Sequence, residues 1–177
     1  MEDLLLDACV ALNLLASGVH LSELATASEV RFLMTTVVAT EMLWLDPLDP
    51  SGTRERFDRD ALTARGVTLV TLGDDESERF VELARYVDDG EASTIAVAIH
   101  RGLRVATDDR KAFRLAASQS PPVEVTRTTT LLRRWADTSG AHGEHVRQVL
   151  QAVRTRASYV PPRDDPHLDW WTSATGA

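Results

Sequence analysis

Cysteine is all but missing from this chain of 177 residues: Cys9 stands alone in an apolar run. A disulfide framework within one chain is therefore excluded, and a lone buried thiol usually serves as a small hydrophobe. No cysteine–histidine spacing suited to zinc is present either. No apolar run reaches the roughly 18 residues needed to span a bilayer. At the N-terminus, Glu2 and Asp3 stand where a signal peptide would carry basic residues, and Asp7 interrupts the apolar stretch. These absences lead to the expectation of a cytoplasmic protein with no membrane partner. Positive charge is also short. The formal net charge of −8 argues against a protein that clamps nucleic acid by simple electrostatics. Its distribution is uneven. Between Ser120 and Arg163, seven arginines (127, 133, 134, 147, 154, 156 and 163) face Glu124, Asp137 and Glu144, a balance of +4 that leaves −12 on the rest. That basic portion reads either as a phosphate path beside an acidic body or as a set of solvated helix faces.

Hydrophobic residues make up 44% and charged residues 26% of the chain, a composition that suits one globular domain able to bury a core without metal or disulfide staples. The pattern along it alternates short apolar runs with helical periodicity. Leu4–Leu6 reads as a buried strand, Ala8–Ala16 as a helix stopped at Ser17–Gly18, Ser22–Glu29 as a second helix and Arg31–Thr35 as a strand. Thr36 looks able to cap a helix holding Val37, Val38, Glu41, Met42 and Leu45, ending before Pro47. Pro47–Thr53 is a loop, Arg54–Arg65 a charged helix ended by Gly66, and Val67–Leu72 a strand. From Gly73–Asp74 a helix runs to about Val87. A further helix starts at Asp89–Gly90, follows Ile95, Ala96 and Ile99, and stops at Gly102. Leu103–Ala106 and Val123–Val125 are strands, and Arg110–Ala117 and Thr128–Ala136 helices. In His145–Ala157, Val146, Val149, Leu150 and Val153 recur at helical spacing. After Pro161 the tail is polar up to Trp170–Trp171, which either folds back on the body or anchors a partner; Trp44 is expected in the core. Strands alternating with helices imply an α/β fold, a three-layer α/β/α sandwich around a short, mostly parallel sheet, with a C-terminal helical extension. Residues 1–138 would form the main body and residues 139–177 a helix and tail belonging to the same domain.

In such sheets the functional crevice lies beyond the carboxyl ends of the strands, at the switch point in strand order. Asp7 and Asp109 each follow a strand. Glu41 and Glu91 interrupt apolar segments, where an unpaired carboxylate is costly. Each has a plainer reading: Asp7 and Asp109 as helix caps, Glu41 as an exposed point on a helix, Glu91 as a complement to a helix dipole. Brought together, four carboxylates would repel and raise one another's pKa values. A divalent cation removes that penalty, and hard oxygen ligands suit Mg²⁺ or Mn²⁺.

In order and spacing, LLLDACVALNLL, TTVVATEMLWL and GEASTIAVAIHRGLRVATDD resemble the motifs of PIN-domain nucleases, whose bacterial members include VapC-like toxins. The resemblance covers roughly residues 4–130. It implies a Mg²⁺- or Mn²⁺-dependent endoribonuclease whose catalytic metal ligands are Asp7, Glu41, Glu91 and Asp109, with Asp88, Asp89 and Asp108 as adjacent alternatives and Thr107 as a support. It also implies an RNA substrate, a homodimer and, for toxin members, a protein antitoxin that covers the site. The competing readings are a PIN-like scaffold that binds RNA or protein without cleaving, and an aspartyl phosphotransfer enzyme. Cys9 occupies the place where a dehalogenase-like phosphatase needs its second aspartate. The G-x-S-x-G pattern of a serine hydrolase is absent. His142 and His145 lack the helical i,i+4 spacing of a zincin and read as surface.

Overall fold

The computed structural model describes residues 1–41, 43–49 and 51–176. Met42 of the expected second-motif helix, Pro50 of the expected loop and the terminal Ala177 lie outside the described residues. Leu4, Leu5 and Leu6 are all fully buried, as a strand covered on both faces requires, and they form the heart of β1 (Glu2–Leu6). Parallel neighbours flank it on both sides. β2 (Val30–Thr35) pairs Leu4 with Phe32, and β6 (Arg104–Ala106) pairs Leu6 with Ala106. Outside these lie β5 (Thr68–Val70), beside β2, and β7 (Val125–Thr126), beside β6. The order is β5-β2-β1-β6-β7, entirely parallel. The chain reverses its direction of travel across the sheet between β1 and β6, and the switch point lies there.

Side-chain alternation along β1 creates the layers. Leu4 and Leu6 face a core formed with Val10 and Leu14 of α1 (Ala8–Ala16), Leu21 and Leu24 of α2 (Leu21–Ala27), and Leu131, Leu132 and Trp135 of α7 (Thr128–Ser139). Leu5 faces the other way, toward Leu83 of α4 (Asp74–Leu83), Ile95 and Val97 of α5 (Asp89–Arg101) and Ala112 of α6 (Arg110–Ala117). The result is the three-layer α/β/α arrangement expected from the sequence. The C-terminal residues join the first of these cores. Val146, Val149, Leu150 and Val153 of α8 (Glu144–Arg156) and Trp171 of α9 (Leu168–Thr175) belong to the same apolar cluster as Leu4.

Three local expectations are corrected. The segment around Glu41 is not a helix: a single 3₁₀ turn, Val38–Thr40, is followed by extended backbone at Glu41 and by strand β3 (Leu43–Leu45). Thr35 Oγ1 accepts the Val38 N–H as a cap would, but the turn it starts stops at Thr40, and the β-branched Val37–Val38 pair resists helical packing. The expected Arg54–Arg65 helix likewise splits. Glu55–Phe57 forms β4, antiparallel to β3, and only Arg59–Ala64 is helical (α3), started by Asp58 accepting from Ala61 N. Phe57, 3% exposed, explains the division, since its burial needs the extended backbone that seats it in the first core. Finally, Trp44 is not a core residue. Leu45 takes the inward position of β3 and leaves Trp44 41% exposed on the outer face.

The tail after Pro161 is structured. Trp171 is buried and meets Tyr159 edge to face at 5.5 Å, and Trp170 lies under the Arg133 guanidinium. Of the seven arginines in the basic portion, Arg127, Arg133, Arg147 and Arg156 pair with Asp164/Asp165, Asp137, Glu144 and Glu55 respectively. Arg127 and Arg156 tie distant segments together, whereas the Arg133 and Arg147 pairs are exposed and local to one helix. Among the described residues, no single helix is long and apolar enough to cross a membrane.

Candidate functional site

Two strand ends at the switch point carry the centre of the site. β1 ends at Leu6, and Asp7 follows as the N-cap of α1, its Oδ1 accepting from Ala8 N at 2.7 Å. Its other oxygen, Oδ2, accepts from Thr107 Oγ1 at 2.8 Å and from the Cys9 thiol at 3.3 Å. Thr107, 1% exposed, in turn accepts the Asp109 N–H at 3.1 Å. One buried hydroxyl thus joins the ends of β1 and β6 and fixes Asp7 relative to Asp109. Asp109 caps α6 through Oδ1, which accepts from Lys111 N and Ala112 N at 2.6 and 2.8 Å. Both aspartates are helix caps, the plainer reading at each position, and both stand at the strand ends where a site was expected.

The second pair comes from the other side of the crevice. Thr35 at the end of β2 shares a 2.7 Å hydroxyl–hydroxyl hydrogen bond with Ser93, and Ser93 donates to Gly90 O. This ties the turn bearing Glu41 to the first turn of α5. The Glu41 carboxylate lies directly on Gly90: a Cβ built there would sit 2.2 Å from Glu41 Oε1. Asp88 caps α5 by accepting the Glu91 N–H at 2.9 Å. Glu91 stands one residue past Gly90 in the same turn.

Electrostatics shows that these groups share one field. Burial is the chief cause that raises the Glu41 carboxyl from 4.5 to about 7, and Asp88, Asp7 and Asp89 raise it further. Glu91 is raised from 4.5 to about 7, again chiefly by burial and then by Asp109, Asp88 and Asp7. Asp7 is raised by burial and by Asp88, against the lowering effect of its Thr107, Cys9 and Ala8 hydrogen bonds. Burial and the neighbouring Asp7 and Asp108 carboxylates push the Cys9 thiol far up, so it stays protonated and donates to Asp7. Asp7 and Asp109 thus stand at adjacent strand ends joined through Thr107, and Glu41 lies over Gly90, next to Glu91 in the chain; Asp7 and Asp88 bear on both glutamates.

Asp108, the remaining alternative, points elsewhere. Its Oδ1 accepts from Thr128 N and Tyr159 OH, each at 3.2 Å, and its Oδ2 from Asn13 Nδ2 at 2.9 Å and from Thr128 Oγ1. Donors from α1, α7 and the C-terminal segment occupy both oxygens. Sequence patterning missed this clamp, because its partners lie 95, 20 and 51 residues away.

The donor set is all oxygen, which suits a hard divalent cation such as Mg²⁺ or Mn²⁺. Among the described residues, no three acidic, histidine or cysteine side chains are already arranged to hold an ion. A groove of about 700 Å³ lies between α2 and α7, lined by Glu23, Ser28, Arg134 and Trp135. It opens at the opposite, N-terminal end of the strands, away from the switch point, and gathers no comparable set of carboxylates.

The raised carboxyls make metal-free stability depend on pH. A carboxyl whose pKa is higher folded than unfolded binds more protons in the native state, so stability falls as pH rises through that interval. For Glu41 and Glu91 the interval runs from 4.5 to about 7. After discounting for solvent screening, each contributes on the order of 1 kcal/mol, about 2–4 °C in Tm for a chain of this size. Melting in EDTA should therefore occur at lower temperature at pH 8 than at pH 5, and replacing both residues by glutamine should flatten the slope. A melting temperature that rises over this interval would remove the shared field.

The chain matches no protein-family model and no curated protein, so the chemistry of the site is argued from its geometry and its motifs.

Proposed function

We propose that the crevice at the ends of β1 and β6 is the centre of a divalent-metal-dependent ribonuclease of PIN type. The observation that carries this reading is the pairing of Asp7 and Asp109 through Thr107 at the switch point, with Glu41 over Gly90 beside Glu91, where burial and neighbouring carboxylates raise both glutamates to about 7. Helix capping accounts for Asp7, Asp88 and Asp109 but not for the half-buried Glu41 and Glu91, whose cost a cation would remove. Mg²⁺ or Mn²⁺, when bound, supplies Lewis acidity toward a phosphate oxygen and acidifies coordinated water. The chain's own residues perform the remaining tasks. Asp7 and Asp109 present fixed oxygens, because each is locked by a helix cap and by Thr107. Glu41 and Glu91 would add negative charge for the cation, whose binding would favour their ionised forms. RNA as the substrate rests on the motif resemblance, since the same chemistry serves any phosphodiester. A toxin held in check by an antitoxin over the crevice, and a homodimer, follow from the same resemblance.

The reading is tested by calorimetric titration with Mn²⁺ and by cleavage of RNA and DNA strands with and without EDTA. Metal binding in the micromolar to millimolar range and metal-dependent RNA cleavage are expected; an intact fold that binds no metal would make the chain a non-catalytic scaffold. A finer probe is Gly90→Ala. The added methyl would meet the end of the Glu41 side chain, which can swing away cheaply, and alanine favours the helix by up to about 1 kcal/mol. The variant should melt no lower than the parent yet bind Mn²⁺ about tenfold more weakly. Unchanged affinity would take Glu41 out of the site.

A further inference from the structure

Two large aromatic side chains are markedly exposed, Trp44 at 41% and Tyr86 at 59%. Isolated exposed aliphatics such as Leu48 and Val160 are ordinary; the positions of the two aromatics are not. Trp44 follows Glu41 by three residues, a reach of at most about 11 Å. Tyr86 precedes Asp88 by two residues, in the turn between α4 and the cap of α5. These two segments meet where Glu41 lies over Gly90. One aromatic therefore extends from each of the two segments that carry the wall of the crevice.

Each has an arginine beside it. Trp44 lies directly opposite Arg56 in the β3–β4 register, so the two share the outer face of that ribbon. The ribbon's acids Asp46 and Glu55 are taken by Arg54, Arg65 and Arg156, which leaves Arg56 without an ion pair among the described residues. Arg85, exposed, adjoins Tyr86 in sequence. An aromatic face with a neighbouring free guanidinium is the chemistry that holds an unpaired base and its phosphate. It also answers a difficulty of charge. A chain of net charge −8 cannot gain much affinity for a polyanion from counterion release, whereas base stacking does not depend on net charge.

We propose that Trp44 and Tyr86 are two base-stacking subsites that hold unpaired bases of an RNA strand along the Glu41–Glu91 wall of the acidic crevice, with Arg56 and Arg85 against the flanking phosphates. This inference rests on the ribonuclease reading and adds to it the residues that would seat the bases of the strand.

The test is steady-state cleavage of a labelled single-stranded RNA, and of the same strand annealed to its complement, in Mn²⁺ by the full chain. Both aromatics are exposed, so Trp44→Ala and Tyr86→Ala should melt as the parent does. Each should lower kcat/KM on the single strand about tenfold or more, mainly through KM. Trp44→Phe and Tyr86→Phe should stay within about threefold, and the duplex should be cut poorly by all. If the parent cleaves RNA and the alanine variants match its kcat/KM, the subsites are wrong and the nuclease reading stands. If Trp44→Ala instead alters the sedimentation of the chain with kinetics unchanged, the face belongs to a second copy and the proposal falls. If the parent neither cleaves RNA nor binds the labelled strand by anisotropy, both readings fall together.

Discussion

Asp7→Asn is expected to reduce RNA cleavage by at least about a thousandfold, about 4 kcal/mol of transition-state stabilisation, while leaving the fold intact. The substitution is clean because asparagine caps a helix as well as aspartate does, so Ala8 N keeps its acceptor and α1 its start. What is lost is one negative charge, with it the affinity for the cation, and the Oδ2 acceptor of the Thr107 hydroxyl and Cys9 thiol, whose hydrogens must turn away from the amide. The expected effect on stability runs the other way. Burial holds the Asp7 carboxyl above its ordinary range, which marks its ionised form as a cost to the metal-free fold. In EDTA the variant should melt at or above the temperature of the parent. Asp109→Asn should behave alike, since its capping of Lys111 N and Ala112 N also survives the change. Cleavage assays with Mn²⁺, paired with melting curves in EDTA, separate the two effects. Equal cleavage by parent and Asp7→Asn would place any activity somewhere other than the switch point.

That pairing of lost function with retained fold reflects how the site is written into the chain. Asp7 and Asp109 were legible because each follows an apolar run ending at a strand's carboxyl edge, and in a parallel sheet such positions point at the crevice. Thr107 was legible for the same reason. Glu41 was marked as an acid in an apolar segment, but its local structure was not, since Val37, Val38 and Leu45 satisfy helical spacing as well as they satisfy a turn and a strand. The distant β4, with Phe57 buried opposite Leu43, decided it. The β3–β4 ribbon was invisible for a related reason: pairing Trp44 with Arg56 is a non-local choice, and the charged stretch from Arg54 reads as helix on its own. Gly90 carried no signal as a cradle, because a glycine in a first helical turn is unremarkable until a carboxylate is placed upon it. The sandwich itself was legible throughout, since Leu4, Leu5 and Leu6 can all be buried only between two helical layers.

Adjacent aspartates 108 and 109 should answer mutation in opposite ways, and this is the second large effect expected. Asp108→Ala removes the acceptor for Thr128 N, Thr128 Oγ1, Asn13 Nδ2 and Tyr159 OH together. Asn13 is 4% and Thr128 0% exposed, so water cannot readily replace what is lost, and each orphaned donor costs about 1–3 kcal/mol. The burial that raises the Asp108 carboxyl offsets part of this, because removing a desolvated charge relieves a cost. A net loss of about 3–5 kcal/mol is expected, or about 10 °C in Tm. Asp108→Asn should lose less, since the Thr128 and Tyr159 hydroxyls can reorient around an amide. Tyr159→Phe deletes a single donor and should cost about 1 kcal/mol, while leaving Trp171 its edge-to-face partner. Asp109→Asn, one residue on, should scarcely change the melting curve. Chemical or thermal unfolding of the four variants checks the whole set. If Asp108→Ala melted with the parent while Asp109→Asn collapsed, the roles would be reversed: Asp108 would be the group available to a cation and Asp109 no more than the cap of α6.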